Sequence, residues 1–90
     1  MRTVHLQIKG KVQGVFYRAS AKKQADALGV TGWIRNLSSG DVEAIIAGPD
    51  EALDKFITWC KKGPAGAAVK EVLVTESEEI MNTGSFQIVR

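Results

Sequence analysis

The chain is poor in the residues that mark several large classes of protein. Its 90 residues include one cysteine and one histidine, which excludes an internal disulfide and leaves no cluster of metal ligands. No apolar run approaches the length of a membrane-spanning helix. The net charge is only +2 and the lysines and arginines are scattered along the chain. The composition therefore does not favour a nucleic-acid partner or a metal site.

The remaining composition is that of an ordinary globular protein. Hydrophobic residues make up 44% of the chain and charged residues 24%, and a chain of this length forms one domain. We expect residues 1–90 to fold as a single domain and to act as a monomer. The segment from Met1 to Lys9 alternates polar and apolar residues and does not resemble a signal peptide. With its single cysteine, this pattern leads us to expect a cytoplasmic protein without a membrane partner.

The spacing of apolar residues predicts both strands and helices. Alternation in the first nine residues indicates a strand with one buried face, and two later segments show the helical period. The predicted elements are a strand over Thr3–Lys9, a helix over Tyr17–Leu28, strands over Val30–Asn36 and Val42–Ala47, a helix opened by Gly48-Pro49-Asp50 and ended by Gly63-Pro64, a strand over Val69–Thr75 and a short strand at Phe86–Ile88. The acidic segment from Glu76 to Glu79 is predicted to be a solvated turn.

This order predicts an α+β protein with the ferredoxin-like fold. The elements follow the order βαββαβ with a short extra strand at the C-terminal end. Each predicted strand has one apolar face and both helices are amphipathic, so the helices should cover one side of a mainly antiparallel sheet. The result is a two-layer α/β sandwich. Many unrelated activities use this fold, so the order of elements does not identify a function.

The segment Gly10-Lys11-Val12-Gln13-Gly14-Val15-Phe16-Tyr17-Arg18 joins the first strand to the first helix. It contains none of the residues that usually cap a helix start, which are Ser, Thr, Asp and Asn. The first amides of the helix therefore lack an obvious acceptor, although Gln13 could supply one. Free amides, the positive end of the helix dipole and the cation of Arg18 together favour an anion such as phosphate. Steric demands of the turn alone would also explain the glycines.

A second informative segment, Gly32-Trp33-Ile34-Arg35-Asn36, ends the second strand. Gly40-Asp41-Val42 follows it and begins the third strand. An asparagine placed before Leu37-Ser38-Ser39-Gly40 is a natural turn former. Spacing alone therefore favours a turn role for Asn36.

Taken together, the two segments closely resemble the two signatures of the acylphosphatase family, in the same order and at the family's spacing. Gly48 and Gly63-Pro64 match as well. The one departure is Ile34, where the family usually has Val, Ala or Cys, and it is a conservative change within a strand. The resemblance covers essentially the whole chain. It implies a ferredoxin-like enzyme that hydrolyses the carboxyl–phosphate bond of acyl phosphates. Because the sequence holds no cluster of metal ligands, we expect this hydrolysis to need no metal, and we expect no cofactor.

The resemblance also implies roles for individual residues. It places the family's phosphate-binding arginine on Arg18 and its water-orienting asparagine on Asn36. Backbone amides expected to hold the same phosphate oxygens belong to Gln13, Gly14, Val15, Phe16, Tyr17 and Arg18. A guanidinium offers a planar fork to two oxygens, and a carboxamide offers a donor and an acceptor to water. Because a carboxylate is a good leaving group, positioning and electrostatic stabilisation are sufficient. Inorganic phosphate or sulfate should compete for the same site.

Three other side chains have structural explanations. Cys60 lies on the apolar stripe of the second helix with no histidine near it in sequence, which favours a buried packing thiol over a nucleophile. His5 is on the polar side of its strand, where we expect a solvated or edge histidine. Trp33 either packs or lines an apolar entrance for the acyl group.

The two other classes of function to weigh on this fold are a nucleic-acid binder and a non-catalytic module for regulation or metal delivery. An RNA-recognition module needs stacking aromatics on its central strands, and the segments Thr3–Lys9 and Val42–Ala47 have none. A metal carrier would need a pair of cysteines. A regulatory module that binds an anion without turnover is consistent with the sequence. An assay for the loss of a synthetic aryl acyl phosphate distinguishes this module from an enzyme.

Overall fold

Strands and helices follow one another in the predicted order. The computed structural model describes residues 2–78 and 84–89. Its elements are β1 (Arg2–Lys11), α1 (Tyr17–Leu28), β2 (Thr31–Asn36), β3 (Val42–Gly48), α2 (Asp50–Lys62), β4 (Ala68–Glu76) and β5 (Phe86–Ile88). The βαββαβ order and the short final strand are therefore confirmed. Neither helix in this part of the chain combines the length and apolar character needed to cross a membrane.

The strands form one sheet in the order β4-β1-β3-β2-β5. Its pairings are antiparallel except for β5, which runs parallel to β2. Helix α1 connects β1 to β2 across β3, and helix α2 connects β3 to β4 across β1. These two interleaved βαβ units are the arrangement of the ferredoxin-like fold. The mainly antiparallel two-layer architecture predicted from the sequence is confirmed.

This topology places the C-terminal ends of β1 and β2 at the same end of the sheet. Both strands are antiparallel to β3, which lies between them. Val42, the first residue of β3, is opposite Ile8 on one side and Asn36 on the other. The loop that leaves β1 and the turn that leaves β2 are therefore neighbours, although they are distant in sequence.

Both helices pack on one face of the sheet, and the core lies between the layers. On the sheet side, Val4, Leu6 and Ile8 of β1 are fully buried, as their alternation predicts. On the helix side, α1 contributes small alanines that permit close approach, and α2 contributes larger residues. The buried helical residues are Tyr17, Ala21 and Ala25 of α1 and Leu53, Phe56, Ile57 and Cys60 of α2.

Several predicted strand boundaries differ from the structure by one or two residues, and in two places long-range pairing extends a strand into a segment predicted as loop or turn. Gly10 and Lys11, predicted to belong to the loop, continue β1 and pair with β4 beyond an irregularity after Lys9. Glu76, predicted to lie in a solvated turn, is the last residue of β4. It is opposite Val4 and forms an ion pair with Arg2, Nη2 to Oε2 at 2.6 Å. The end of that predicted turn, Glu79, lies outside the described residues.

His5 is also placed differently from the prediction of a solvated or edge histidine. Strand β1 has a neighbour on each side, so His5 is in the interior of the sheet on the face that the helices leave open. Its side chain is half-buried, and Nε2 donates a hydrogen bond to Oε2 of Glu43 at 2.8 Å. Cross-strand pairing with β3 therefore determines its surroundings.

A buried hydrogen bond connects the start of α1 to the end of α2. The Tyr17 hydroxyl donates to the backbone carbonyl of Cys60 at 2.7 Å. That carbonyl lies in the last turn of α2, and the residue four positions later is Pro64, which has no amide hydrogen to donate. Burial raises the pKa of the Tyr17 hydroxyl and keeps it protonated as a donor. Tyr17 thus holds the first turn of α1 against α2.

Replacing Tyr17 by Phe should lower the free energy of unfolding by about 1–2 kcal/mol. The ring stays in place, while the buried carbonyl of Cys60 loses the donor described above. Urea denaturation of the two proteins measures the difference. An unchanged midpoint would show that water or another group replaces the hydroxyl as donor.

Candidate active site

The loop between β1 and α1 has an unusual backbone. Gly14 and Phe16 have left-handed φ angles of 73° and 63°, and Phe16 is the only non-glycine residue with positive φ in the described chain. The sign of φ therefore alternates along the loop, since Gln13, Val15 and Tyr17 have negative values. Such alternation turns successive amides toward one concave side, a nest that binds anions.

The amides of this nest have no acceptor within the described chain. The first hydrogen bond of α1 runs from Ser20 N to Phe16 O at 3.0 Å, and the amides from Gly14 to Ala19 donate to no described residue. No side chain caps the helix. These amides and the positive end of the helix dipole are thus directed at the space beside the loop.

Gln13 acts differently from the acceptor role considered for it. Its Nε2 donates to two backbone carbonyls, Leu37 O at 2.7 Å and Asp41 O at 2.8 Å. Those carbonyls stand at the two ends of the turn between β2 and β3. The side chain therefore joins the β1–α1 loop to the turn that follows Asn36, and it positions the two segments relative to each other.

Arg18 lies in the first turn of α1 and is half-buried. Its guanidinium forms no hydrogen bond or ion pair with any residue that the structure describes. Helix α2 shows the usual distribution of charge, with Asp50 and Glu51 in its first turn and lysines in its last. Helix α1 has no acidic residue in its first turn. The start of α1 is thus positively charged, with nothing in that turn to neutralise it.

Asn36 occupies the inward-facing phase of β2. Ile34 and Gly32, two and four positions earlier, are buried, and Asn36 continues their side of the strand opposite Val42. Its Oδ1 is buried without a hydrogen-bond partner among the described residues. A buried amide oxygen without a donor is unfavourable, so this atom is expected to accept a hydrogen bond from water or from a ligand.

One cleft of about 320 Å³ brings these groups together. The loop and the first turn of α1 form one wall, and the ends of β2 and β5 form the other. Arg18 and Asn36 supply its charged and amide groups, and Val12, Phe16 and Ile88 supply apolar surface. No acidic side chain of the described residues lines it. The two residues predicted from separate motifs therefore line the same cleft.

Cys60 lies outside the cleft, on the side of α2 that packs into the core. It is fully buried, and burial raises the pKa of its thiol to about 12. A thiol with this pKa is almost entirely protonated near neutral pH and is a poor nucleophile. The prediction of a buried packing thiol is confirmed.

Trp33 lies on the open face of the sheet and does not line the cleft. The guanidinium carbon of Arg35 is 5.2 Å from the centre of its ring. Arg35 in turn contacts Glu43, which also accepts the hydrogen bond from His5. These contacts, first from His5 and then from Arg35, lower the pKa of Glu43. Of the two interpretations of Trp33, the structure supports packing and contradicts a role at the entrance.

Sequence reasoning missed the contribution of β5 to the cleft. Ile88 lies opposite Ile34 in the parallel pairing of β5 with β2, on the same side of the sheet as the buried Phe86. The alternation of the last strand predicts that Ile88 and Phe86 share a face of the sheet. The sequence does not reveal that Ile88 lies opposite Ile34. Within the described residues, no three His, Cys, Asp or Glu side chains are close enough to hold a metal ion.

Replacing Gln13 by Met should weaken the attachment of the loop and lower the affinity for phosphate. The change removes two hydrogen bonds of about 1 kcal/mol each and retains the length of the side chain. Urea denaturation and phosphate titration calorimetry measure the two effects. Gln7→Met is the matched control, since Gln7 donates to the Asp41 side chain on the open face. It should reduce stability and leave phosphate affinity unchanged. Equal phosphate affinities in all three proteins would contradict a positioning role for Gln13.

Comparisons with known proteins agree with the resemblance of the two motifs. The acylphosphatase family model matches residues 4–88. The chain is 49% identical over 78 residues to an acylphosphatase of Thiobacillus denitrificans, covering 87% of this chain and 88% of that protein. It is 53% identical over 87 residues to an acylphosphatase of Pyrobaculum islandicum, covering 96% and 88%. A crystal structure of acylphosphatase from Bacillus subtilis covers 100% of both chains with a TM-score of 0.95 at 33% identity. The chain therefore belongs to the acylphosphatase family, whose members hydrolyse acyl phosphates.

Proposed function

We propose that Arg18, the amides of the β1–α1 loop and Asn36 carry out the acyl phosphate hydrolysis that is characteristic of the family. The products are a carboxylate and inorganic phosphate. The observation that carries this assignment is the convergence of Arg18 and the unpartnered Oδ1 of Asn36 in one cleft beside free backbone amides.

The phosphoryl group binds at the start of α1. The amides from Gln13 to Arg18 supply donors in a concave arrangement, and the guanidinium of Arg18 supplies a planar pair of donors with a full positive charge. Because the cleft has no acidic lining among the described residues, nothing there repels a dianion. Positive charge fixed in this way stabilises the charge that spreads over the phosphoryl oxygens in the transition state.

The attacking water binds at Asn36. Its Oδ1 accepts a hydrogen from the water, which directs a lone pair of the water oxygen toward phosphorus. An amide takes up no proton, so it orients the water without acting as a base. Asn36 is on the side of β2 that faces the helices, so the water it holds approaches phosphorus from the sheet toward the loop.

The bond changes need no further catalytic group. The water oxygen forms a bond to phosphorus while the bond from phosphorus to the bridging oxygen breaks, and the carboxylate leaves with the electron pair. Its low basicity removes the need for a general acid. One hydrogen of the water stays on its oxygen and the other passes to a phosphate oxygen, so a dianionic acyl phosphate gives the carboxylate and dihydrogen phosphate.

Several related statements stay predictions from the sequence. Inorganic phosphate and sulfate should compete for the loop, because they present the same tetrahedral oxygens to the same amides. A single independent domain over residues 1–90, a monomeric state and a cytoplasmic location likewise stay predictions. So does the absence of a cofactor.

Incubation of the protein with benzoyl phosphate should release benzoate and phosphate in equal amounts. The rate should survive exhaustive chelation by EDTA, because the positive charge in the cleft is that of Arg18 and the backbone. The loss of substrate and the release of phosphate are followed in parallel. Binding of phosphate without turnover would indicate a regulatory anion-binding module. Loss of activity in EDTA with recovery on adding Mg²⁺ or Zn²⁺ would contradict the proposed site.

Asn36→Ala should lower kcat by about 10²–10³-fold and change the Kd for phosphate little, because its water contact matters mainly in the transition state. Arg18→Lys keeps the charge and loses the planar fork, so it should weaken phosphate binding and turnover together. Kinetics, phosphate titration and thermal midpoint are measured on each. Ser39→Ala, in the turn that follows Asn36, is the matched control and should retain kcat. A near-normal kcat in Asn36→Ala would remove this residue from the mechanism.

A further inference from the structure

The β1–α1 loop has a conformation that its own contacts do not stabilise. Its amides are directed to one side, where their dipoles repel one another, and Phe16 adds a left-handed φ of 63°. No hydrogen bond joins two residues of the segment from Gln13 to Phe16. Backbone of this kind persists only where the surrounding structure restrains it. The contacts that restrain the loop therefore determine how well it receives an anion.

Alternate residues of the loop face different parts of the molecule. Gly14 and Phe16, which have positive φ, line the cleft, whereas Gln13 and Val15 do not. Gln13 holds one end of the loop through the turn after β2, and Tyr17 holds the other end through its hydrogen bond to α2. Between these two fixed ends, the Val15 side chain is partly buried and packs against the hydrophobic core. It is the restraint nearest to the middle of the nest.

Val15 packs against the connection between α2 and β4, at Gly66. A β-carbon added at Gly66 would lie 3.6 Å from Cβ and 3.7 Å from Cγ1 of Val15, so the valine covers the bare backbone of the glycine. Gly66 does not have a positive φ, and its conformation therefore does not require glycine. The absence of a side chain at Gly66 instead leaves room for Val15.

The connection is itself fixed at both ends. At the end of α2, Gly63 N donates to Trp59 O at 2.7 Å, and Ala67 N donates to Pro64 O at 3.0 Å across the turn that contains Gly66. Strand β4 begins at the next residue and pairs with the end of β1. Val15 thus packs against a well-anchored part of the fold.

We propose that Val15 is a positioning residue for phosphate binding: its side chain, packed on Gly66, holds the loop amides in the arrangement that receives the phosphoryl group. This inference rests on the proposed function of the cleft. It gives a part in that function to the α2–β4 connection, which lies outside both sequence motifs. If Val15 only filled space in the core, its truncation would lower stability and leave ligand binding unchanged.

Val15→Ala removes two methyl groups from this contact. The Kd for inorganic phosphate, measured by titration calorimetry on the folded protein, should rise about fivefold, as expected when a contact of this size no longer restrains the loop. Val72→Ala is the matched control, because Val72 is also a partly buried valine packed against the core but lies in β4 opposite Ile8. It should lower the thermal midpoint and leave the phosphate Kd unchanged. Equal phosphate Kd values for Val15→Ala and wild type would overturn the proposal.

Gly66→Ala tests the contact from the opposite side. The added methyl lies at an ordinary contact distance from Cβ of Val15, an atom that alanine retains, so this variant alone should keep the phosphate Kd within about twofold of wild type. Combined with Val15→Ala, it replaces part of the lost contact and should return the Kd to within about twofold of the wild-type value. Gly84→Ala, where an added β-carbon meets nothing within 4 Å, should not rescue Val15→Ala. The rescue is measured as Kd because replacing glycine also stabilises a protein through its unfolded chain. A Gly66→Ala double variant that binds phosphate as weakly as Val15→Ala would overturn the proposal.

Kinetics separate this inference from the proposed function. With benzoyl phosphate, kcat/KM of Val15→Ala should fall by at least the factor by which the phosphate Kd rises, because the same amides hold the phosphoryl oxygens in the transition state. If wild type binds phosphate and hydrolyses benzoyl phosphate while Val15→Ala does both equally well, Val15 has no positioning role and the hydrolytic site remains. If wild type does neither, the proposed function itself fails.

Discussion

The backbone amides at the start of α1 have no partner within the described chain, and much of the site follows from this constraint. A helix start normally receives a capping side chain or an acidic residue, as α2 does with Asp50 and Glu51. Helix α1 has neither, and Arg18 adds a positive charge to the same turn. The left-handed angles at Gly14 and Phe16 then direct the free amides to one side. A helix start without a cap is less stable than a capped one, and under the proposed function a bound anion would stabilise it, because the anion binds the folded state and not the unfolded one.

Sheet topology determines what faces that loop. Interleaving of the two βαβ units places β1 and β2 on either side of β3, so both strands end beside Val42. The turn after Asn36 and the loop after β1 are then close enough for Gln13 to donate to both ends of the turn. A cation from one segment and a carboxamide from the other thus line one cleft. In a fold where the C-terminal ends of β1 and β2 lay at opposite ends of the sheet, the same two motifs would not share a site.

Features that depend on local pattern were predictable, and features that depend on pairing were not. The boundaries of α1 from Tyr17 to Leu28 follow from helical spacing and a glycine stop, and the structure has the same bounds. The extension of β1 through Lys11 and the inclusion of Glu76 in β4 depend on their partners in the other strand, which the sequence does not reveal. His5 was expected in solvent or at an edge because it lies on the polar side of β1. The alternation of polar and apolar residues does not show whether a strand is at the edge or in the interior of the sheet. The hydrogen bonds of Gln13 similarly required the topology.

The direction of the Asn36 side chain bears on whether this residue forms the turn or has the role proposed for it in the cleft. A turn former needs only to precede the turn, and its side chain is usually free to face solvent or to bond to nearby backbone. Asn36 instead follows Gly32 and Ile34 on the buried side of β2, and its Oδ1 is removed from solvent without a described partner. Turn formation does not account for an inward carboxamide that leaves a buried oxygen without a donor. The proposed water placement would account for it, because a water bound in the cleft would supply the missing hydrogen at the point from which, under that proposal, a loop-bound phosphoryl group is attacked.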